Sequence, residues 1–320
     1  MSVELSIVVV SYNTRDLLRQ CLESVFSATR RESFEVIVVD NNSTDDSCAL
    51  VKAKFPQVRL IENQHNAGFG GANNQGVEAS RGSHVMLLNS DAVLLEDTGS
   101  ALVEFLKTHP EAGVVGPRVL LMDGSLQPKT YGNLPSFKAF LNQSLLLARL
   151  FPKSRTFAGI YVESAWDRVM EVGWISGVCM VLAREDYLAI NGFDPAFFMY
   201  SEDMDLCRRL RERGRKCYRV DAFGIRHLCA GSTKTPEQFL KHDVMRQRNF
   251  IRMLDSCAGS HQVTMRVILG IGLALRVIVR SVYLVVPNAG GRLAFQSALQ
   301  CLMDLTRRTT PEGGSYAHRH

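Results

Sequence analysis

Apolar residues in the first third of the chain arrive in two alternating patterns. Leu5–Val10, Phe34–Val39, Val58–Glu62, His84–Leu88 and Gly113–Pro117 are short runs dominated by Val, Ile and Leu. Continuous β-branched runs of this kind predict strands buried on both faces. Between them, apolar residues recur every three or four positions. Arg15–Ala28 carries Leu17, Leu18, Cys21, Leu22, Val25 and Phe26 on one helical stripe, with Thr14 placed to cap it. Ser43 or Thr44 opens a second helix through Phe55, and Gly70–Ser80 and Gly99–Lys107 read as two more. Strand and helix alternating at this pace predict an α/β fold: a mainly parallel sheet with crossover helices on both faces.

The pattern loosens from Leu120 to Arg168 into loops and short helices. Beyond it, Trp174–Ala183 and Lys216–Val220 read as strands, Asp205–Arg213 and Glu237–Leu254 as helices. Gln262–Leu305 is apolar and helical, broken at Pro287–Gly291 before a last helix over Leu293–Arg307, and Thr309–His320 reads as a disordered tail. The implied division is an α/β domain over 1–255, with halves at 1–119 and 120–255, then a helical extension over 256–308. Val267–Val286 is long enough to cross a bilayer, but Arg276 and Arg280 interrupt it. With Arg266 they fall within about 80° on a helix. A cationic stripe beside a broad apolar face suits a helix lying in a membrane interface. The alternative is a helical pair packed on the catalytic domain or on a second copy of the chain.

Charge sharpens this picture. The 320 residues carry a net +5, but Met1–Asp205 holds 17 basic and 25 acidic residues and Leu206–His320 holds 20 and 7, so the two parts stand at −8 and +13. Such asymmetry suits either solvated helix faces that keep the protein soluble or an anionic partner for the second part: an anionic membrane surface or a phosphorylated substrate, since no nucleic-acid recognition motif is present. The eight cysteines form no CxxC pair and several sit inside apolar runs, which predicts reduced, buried thiols. Glu4 stands where a signal peptide wants positive charge, and the first apolar run is too short for one, so a cytoplasmic location is expected.

In α/β sheets ligands bind beyond the carboxyl ends of the strands. Those ends read Ser11-Tyr12-Asn13, Asp40-Asn41-Asn42-Ser43, Asn66-Ala67-Gly68-Phe69-Gly70 and Asn89-Ser90-Asp91. Four such polar clusters exceed what turn chemistry alone asks for. Gly68–Asn73 begins like a dinucleotide fingerprint, but it follows the third strand and has Asn73 where the last Gly belongs. Asp40 suits hydrogen bonding to a base or ribose, or an Asx-turn, and Tyr12 suits stacking on a base, or packing. Asp91 is a carboxylate suited to a divalent metal, or to capping the next turn. Glu202-Asp203 suits general-base work, or capping of the helix that follows.

This ordered series resembles the inverting family 2 glycosyltransferases of GT-A fold, in particular their rhamnosyltransferase-like branch. Ile7–Asn13, Val38–Ser43, Asn66–Gly76, Leu87–Asp91, Trp174–Gly177, Gly192–Asp194 and Phe198–Cys207 carry the likeness in order. The resemblance implies a nucleotide-sugar donor, most plausibly dTDP-rhamnose, with UDP-sugars as the alternative. It also implies a divalent cation, Mg2+ or Mn2+, and a lipid-linked or polysaccharide acceptor. Asp203 would be the base, with Glu202 beside it. Asp91 and His227 would hold the metal, with Asn89 standing where the family's DxD has its first Asp. Donor contacts would come from Ser11, Tyr12, Asn13, Asp40, Asn42, Asn66, Gly68, Phe69, Asn73, Asn74, Asn89, Ser90, Trp174 and Gly177, and from Arg246 and Arg248 near the diphosphate. Such an enzyme would work at the inner face of the cell membrane. A nucleotidyltransferase would want a Gly- and Lys/Arg-rich loop after the first strand, and Ser11–Arg15 has neither Gly nor Lys. A non-catalytic sugar-nucleotide binder would lack Asp91 or Asp203, and both are present.

Overall fold

The computed structural model describes residues 3–306 apart from 31–32, 145–146, 152–153, 155, 163–167, 229–234, 259–261 and 282–288. The expected tail over 309–320 lies outside the described residues. In chain order the elements begin β1 (Leu5–Ser11), α1 (Arg15–Ala28), β2 (Phe34–Asp40), α2 (Ser47–Lys54), β3 (Arg59–Glu62), α3 (Gly68–Glu78) and β4 (His84–Asn89). They continue with β5 (Ala92–Leu94), α4 (Thr98–Thr108), β6 (Ala112–Leu120), β7 (Tyr131–Gly132), α5 (Phe137–Ser144), α6 (Leu147–Leu150), β8 (Val169–Val172) and β9 (Trp174–Ile175). Then come β10 (Cys179–Ala183), α7 (Arg184–Ala189), α8 (Glu202–Glu212), β11 (Lys216–His227), α9 (Pro236–Ala258), α10 (Gln262–Arg280) and α11 (Ala289–Thr306).

Nine strands form one sheet in the order β3-β2-β1-β4-β10-β6-β11-β5, with β8 paired to β11 at the side. The β1, β2, β3 and β4 pairings are parallel, as is β6 with β11, whereas β10 runs antiparallel between β4 and β6. Alternation along β1 shows why helices are needed on both sides. Ile7 and Val9 pack with Leu18, Leu22 and Val25 of α1 and Leu102 of α4, while Val8 faces Ala72 and Val77 of α3 in a second cluster. A strand apolar at every position must be covered twice, and the continuous runs in the sequence are the record of that.

Four local expectations change. The run Trp174–Ala183 is two strands in two sheets: β9 pairs with β7 in a separate two-stranded sheet, and β10 lies in the main one. The helix expected over Asp205–Arg213 begins at Glu202, three residues earlier, which puts the acidic pair in its first turn. β11 continues through a bulge to His227 instead of stopping at Val220, and β5 is too short for its pattern to register. Thr14 does stand at the N-cap of α1, but its hydroxyl makes no cap; it donates to Ser90 Oγ at 3.0 Å and so ties β1's end to β4's.

The C-terminal helices share the main core. Met265, Leu269 and Leu273 of α10 and Cys301 of α11 are buried in the same cluster as Trp174, Phe193 and Met253. α9 runs without interruption across residue 255. Arg266 turns to α9, where its guanidinium pairs with Asp255, so this member of the expected cationic stripe serves an internal contact. The side chains of Arg276 and Arg280 lie outside the described residues. Val263, Val267, Ile271 and Ile278 are exposed at 75, 56, 53 and 67%, and on a helix they fall within about 80° of one another, opposite the buried face. Among the described residues, no helix is long and apolar enough to cross a membrane.

Candidate active site

β1 and β2 end side by side, and side chains lash their loops together. Asn13, at φ 53°, accepts from Thr44 N at 2.8 Å while its own N–H donates to Ser43 Oγ at 2.8 Å. Asn42 also sits in the left-handed region, at φ 68°, where Asn is better tolerated than most residues. Asp40 is buried; its Oδ1 accepts from Ser43 N at 2.8 Å, closing the Asx-turn that was one of the two readings. Its Oδ2 is buried without a hydrogen bond of ordinary geometry. Burial first, then the Asp40 carboxylate, push the nearby Cys48 thiol up to about 12. One Asp40 oxygen therefore holds the turn, and the other has no hydrogen-bond partner. Tyr12 is exposed beside this loop and open for stacking.

The start of α3 is clamped between the two halves of the chain. Gly68 has φ +76°, and a Cβ there would stand 2.4 Å from Phe198 O, so only glycine fits. Asn66 Oδ1 accepts from Gly68 N, Phe69 N donates to Phe198 O at 3.0 Å, and Phe69 meets Phe193 edge-on. Asn41 also serves here, donating from Nδ2 to Gly68 O at 3.1 Å and accepting from Asn63 and Ala67. Asn73 donates to Phe69 O, and its buried Oδ1 has no partner. Asn74 is fully engaged elsewhere: it bridges the backbone of Phe193 in both directions and accepts from Tyr187 Oη. Its geometry is that of a brace between halves, not of a donor contact.

At the end of β4, Asp91 meets the end of β11. His227 Nε2 lies 2.9 Å from Asp91 Oδ1, and Leu228 N donates to Asp91 O at 2.8 Å. The pairing of Ala92 with His227 in the β5–β11 ladder sets this juxtaposition. Asn89 Nδ2 stands 3.5 Å from His227 Nε2, and Ser11 Oγ, Thr14 Oγ1 and Ser90 Oγ form a hydroxyl chain alongside. A carboxylate oxygen and an imidazole nitrogen 2.9 Å apart match neighbouring corners of an octahedron with bonds of about 2.1 Å, the size Mg2+ prefers. Among the described residues no cluster of three or more His, Cys, Asp or Glu forms a metal site. The residues thus fit a cation that keeps most of its coordination for water and a phosphorylated ligand.

From there a short path leads to the acidic pair. Asn89 N donates to Val178 O at 3.0 Å, and Gly177 N, next along, donates to Asp203 Oδ2 at 3.2 Å. Met204 N binds Oδ1 at 2.8 Å. A Cβ on Gly177 would lie 2.8 Å from the Phe69 ring, so the loop that breaks β9 from β10 approaches α3 closely by means of glycine. Tyr200 and Ser201 take φ of 72° and 69° to turn the chain into α8, a local strain of about 1–3 kcal/mol each that aims the first turn inward. Burial raises the Asp203 carboxyl to about 6; donation from Gly177, Met204 and its own N–H holds it below where burial alone would set it. Glu202 is buried with Oε2 unpartnered, and burial together with the Asp203 charge pushes it well above the ordinary range. The pair therefore offers a carboxyl, Asp203, that takes up a proton more readily than an ordinary aspartate, beside a Glu202 whose charged form is disfavoured. Asp205, two residues on, is spent on Arg208 and Arg209.

The remaining expected residues brace the site from outside. Trp174 is buried and donates from Nε1 to Ile160 O at 3.1 Å. Arg246 binds Asp243 at 2.7 Å and lies over the Tyr200 ring, while Asn249 donates to Met199 O at 2.8 Å. α9 thus straps the loop that delivers Asp203. Arg248 is on the exposed side of that helix. Sequence reasoning missed Asn41, whose position beside Asp40 was legible, and Gln127, 2.8 Å from His227 Nδ1, for which no pattern gave a signal.

Residues 6–168 match the profile of glycosyl transferase family 2. The chain belongs to that family. Residues 161–230 of this glycosyltransferase also match the N-terminal domain of galactosyltransferase. It is 29% identical over 288 residues to the N-acetylglucosaminyl-diphospho-decaprenol L-rhamnosyltransferase of Mycobacterium tuberculosis, spanning 86% of this chain and 92% of that one. It is 26% identical over 233 residues to the rhamnosyltransferase WbbL of Escherichia coli, spanning 69% and 82%. Among solved structures it resembles a mannosyltransferase from Pyrobaculum calidifontis in complex with GDP-Man and Mn2+, with a TM-score of 0.58 at 14% identity over 95% and 82% of the two chains. That likeness is one of fold, GT-A, and agrees with the mixed sheet described above.

Proposed function

We propose that this family 2 glycosyltransferase moves L-rhamnose from dTDP-rhamnose to a lipid-linked glycan acceptor, with inversion at the anomeric carbon. The observation that carries the reading is the Asp203 carboxylate, raised to about 6 and held by Gly177 N beside the strand end that bears Asp91 and His227. The acceptor hydroxyl oxygen attacks the anomeric carbon, the bond from that carbon to the diphosphate oxygen breaks, and Asp203 takes the hydroxyl proton. Glu202 lies beside it, its charged form disfavoured by burial and by the Asp203 charge. Asp91 and His227 would hold Mg2+ or Mn2+, which when bound supplies charge neutralisation to the departing diphosphate. Asp40 Oδ2, an acceptor without a hydrogen-bond partner, suits the single N3–H of a thymine, and Tyr12 the stacking of its ring.

The rhamnose donor and the lipid diphosphate acceptor rest on the two rhamnosyltransferase relatives. The exposed apolar face of α10 and the +13 charge of residues 206–320 support attachment to an anionic membrane surface at its cytoplasmic side. Calorimetric titration with dTDP-rhamnose, dTDP and UDP-sugars, each with Mn2+ and with EDTA, tests the donor. Metal-dependent binding of dTDP-rhamnose alone is expected; preference for a UDP-sugar would discard rhamnose and keep the chemistry.

A further inference from the structure

The hairpin that follows β6 brings one more polar side chain to the strand ends. After Leu120 the chain turns, Leu121 N donating to Ser125 O at 2.8 Å and Asp123 accepting from Ser125 N and Oγ. It then returns beside the strand, with Leu126 bridged to Leu120 and Gln127 N donating to Val119 O at 2.9 Å. Pro128 follows and favours an extended backbone at Gln127. Because β6 pairs with β11 in the register Leu120 to Arg226, this return delivers Gln127 to the last residue of β11. Gln127 Oε1 stands 2.8 Å from His227 Nδ1.

We propose that Gln127 is a positioning residue for the cation site: its carbonyl accepts the Nδ1 proton of His227 and so presents the Nε2 lone pair, beside Asp91, to a divalent metal. The inference rests on the reading of Asp91 and His227 as metal ligands. A neutral imidazole carries one proton, for which Gln127 Oε1 and Asp91 Oδ1 compete from the two ring nitrogens; a cation that claims Asp91 and Nε2 together needs that proton on Nδ1, where Gln127 accepts it. Without Gln127 the proton is free to sit on Nε2 and donate to Asp91 Oδ1, 2.9 Å away, which removes both ligands at once. The consequence is larger here than in a site with two acids, because Asn89 supplies an amide where a second carboxylate could have held the cation alone. Asn89 Nδ2, at 3.5 Å from Nε2, is too distant to hold the ring. A carbonyl also fixes the ring without adding charge, leaving the cation's attraction for a diphosphate undiminished.

Two readouts on the full-length protein test this. The first is Mn2+ affinity in the presence of dTDP, followed by the electron paramagnetic resonance of free Mn2+, in wild type, Gln127→Leu, Gln127→Glu and His227→Ala. Gln127→Leu is expected to weaken Mn2+ binding about 10- to 100-fold, as loss of an outer partner of a ligating His does. Gln127→Glu, which keeps the acceptor, should restore it. The second readout is the 15N signature of His227 at the Mg2+ and dTDP concentrations that saturate wild type, in mildly alkaline buffer, assigned by its loss in His227→Ala. Wild type and Gln127→Glu should show the Nδ1–H tautomer, and Gln127→Leu a shift towards Nε2–H, which a merely structural defect would not produce. An Nε2–H tautomer in wild type, or Gln127→Leu matching wild type in Mn2+ affinity while His227→Ala does not, overturns the proposal. Equal binding by wild type and His227→Ala would sink the metal site itself, and so separates that failure from this one.

Discussion

Replacing Asp203 with Asn should cost this glycosyltransferase its activity and make it more stable. The carboxyl rises from an ordinary 3.8 to about 6 in the fold, mainly through burial. The folded state therefore binds its proton more tightly than the unfolded chain does. Stability from this group is fully present below about pH 4, declines as pH rises through 6, and stays low above it. A rise of that size corresponds to about 3 kcal/mol. The residue is half-buried, and Asn keeps at most one of the two bonds from Gly177 and Met204, so the expected net gain at neutral pH is about 1–2 kcal/mol. Urea unfolding of both proteins between pH 4 and 8 reads it directly: the curves should meet near pH 4 and separate as pH rises, with Asp203→Asn the more stable. Transfer should fall about 10²- to 10⁴-fold, the usual size of a lost general base. In wild type, kcat/KM should fall about tenfold per pH unit below 6, whereas the residual activity of the variant should not follow that profile. A variant less stable than wild type at every pH would show that the carboxylate supports the fold, and the assignment of a strained catalytic base would be wrong.

Asp91→Ala should weaken Mn2+-dependent binding of dTDP by removing the carboxylate beside His227 Nε2; identical affinity with Mn2+ and with EDTA in both proteins would remove Asp91 from the metal site. On α10 the two faces should separate cleanly. Val267→Ser with Ile271→Ser, on the exposed side, should reduce sedimentation with phosphatidylglycerol vesicles and leave the melting temperature in place, and undiminished sedimentation would count against membrane attachment through this face. Leu273→Ala, on the buried side, should instead cost about 2–5 kcal/mol in unfolding free energy.

The sequence alone determined the layers. Runs such as Leu5–Val10 and Phe34–Val39 can satisfy their apolar character only between two helical layers, so an α/β sheet and the strand-end loops that carry Asp40, Gly68 and Asp91 were legible without coordinates. The acidic pair was legible too, because two adjacent carboxyls ahead of a helix are conspicuous. The tertiary structure decided what each of these groups can do. Asn74 and Trp174 look like ligand residues in sequence, yet Asn74 is spent bracing one half of the chain against the other and the Trp174 indole N–H is spent on Ile160 O within the second half. Arg266 looks like part of a membrane-facing stripe, yet it pairs with Asp255. His227 becomes a partner of Asp91 only because an antiparallel β5–β11 ladder sets their register, and Gln127 reaches that histidine only through the hairpin after β6. The physical reason is common to all of them. Periodicity reports which side of an element is buried, whereas hydrogen bonds between residues a hundred positions apart depend on strand order and register, which local pattern does not encode.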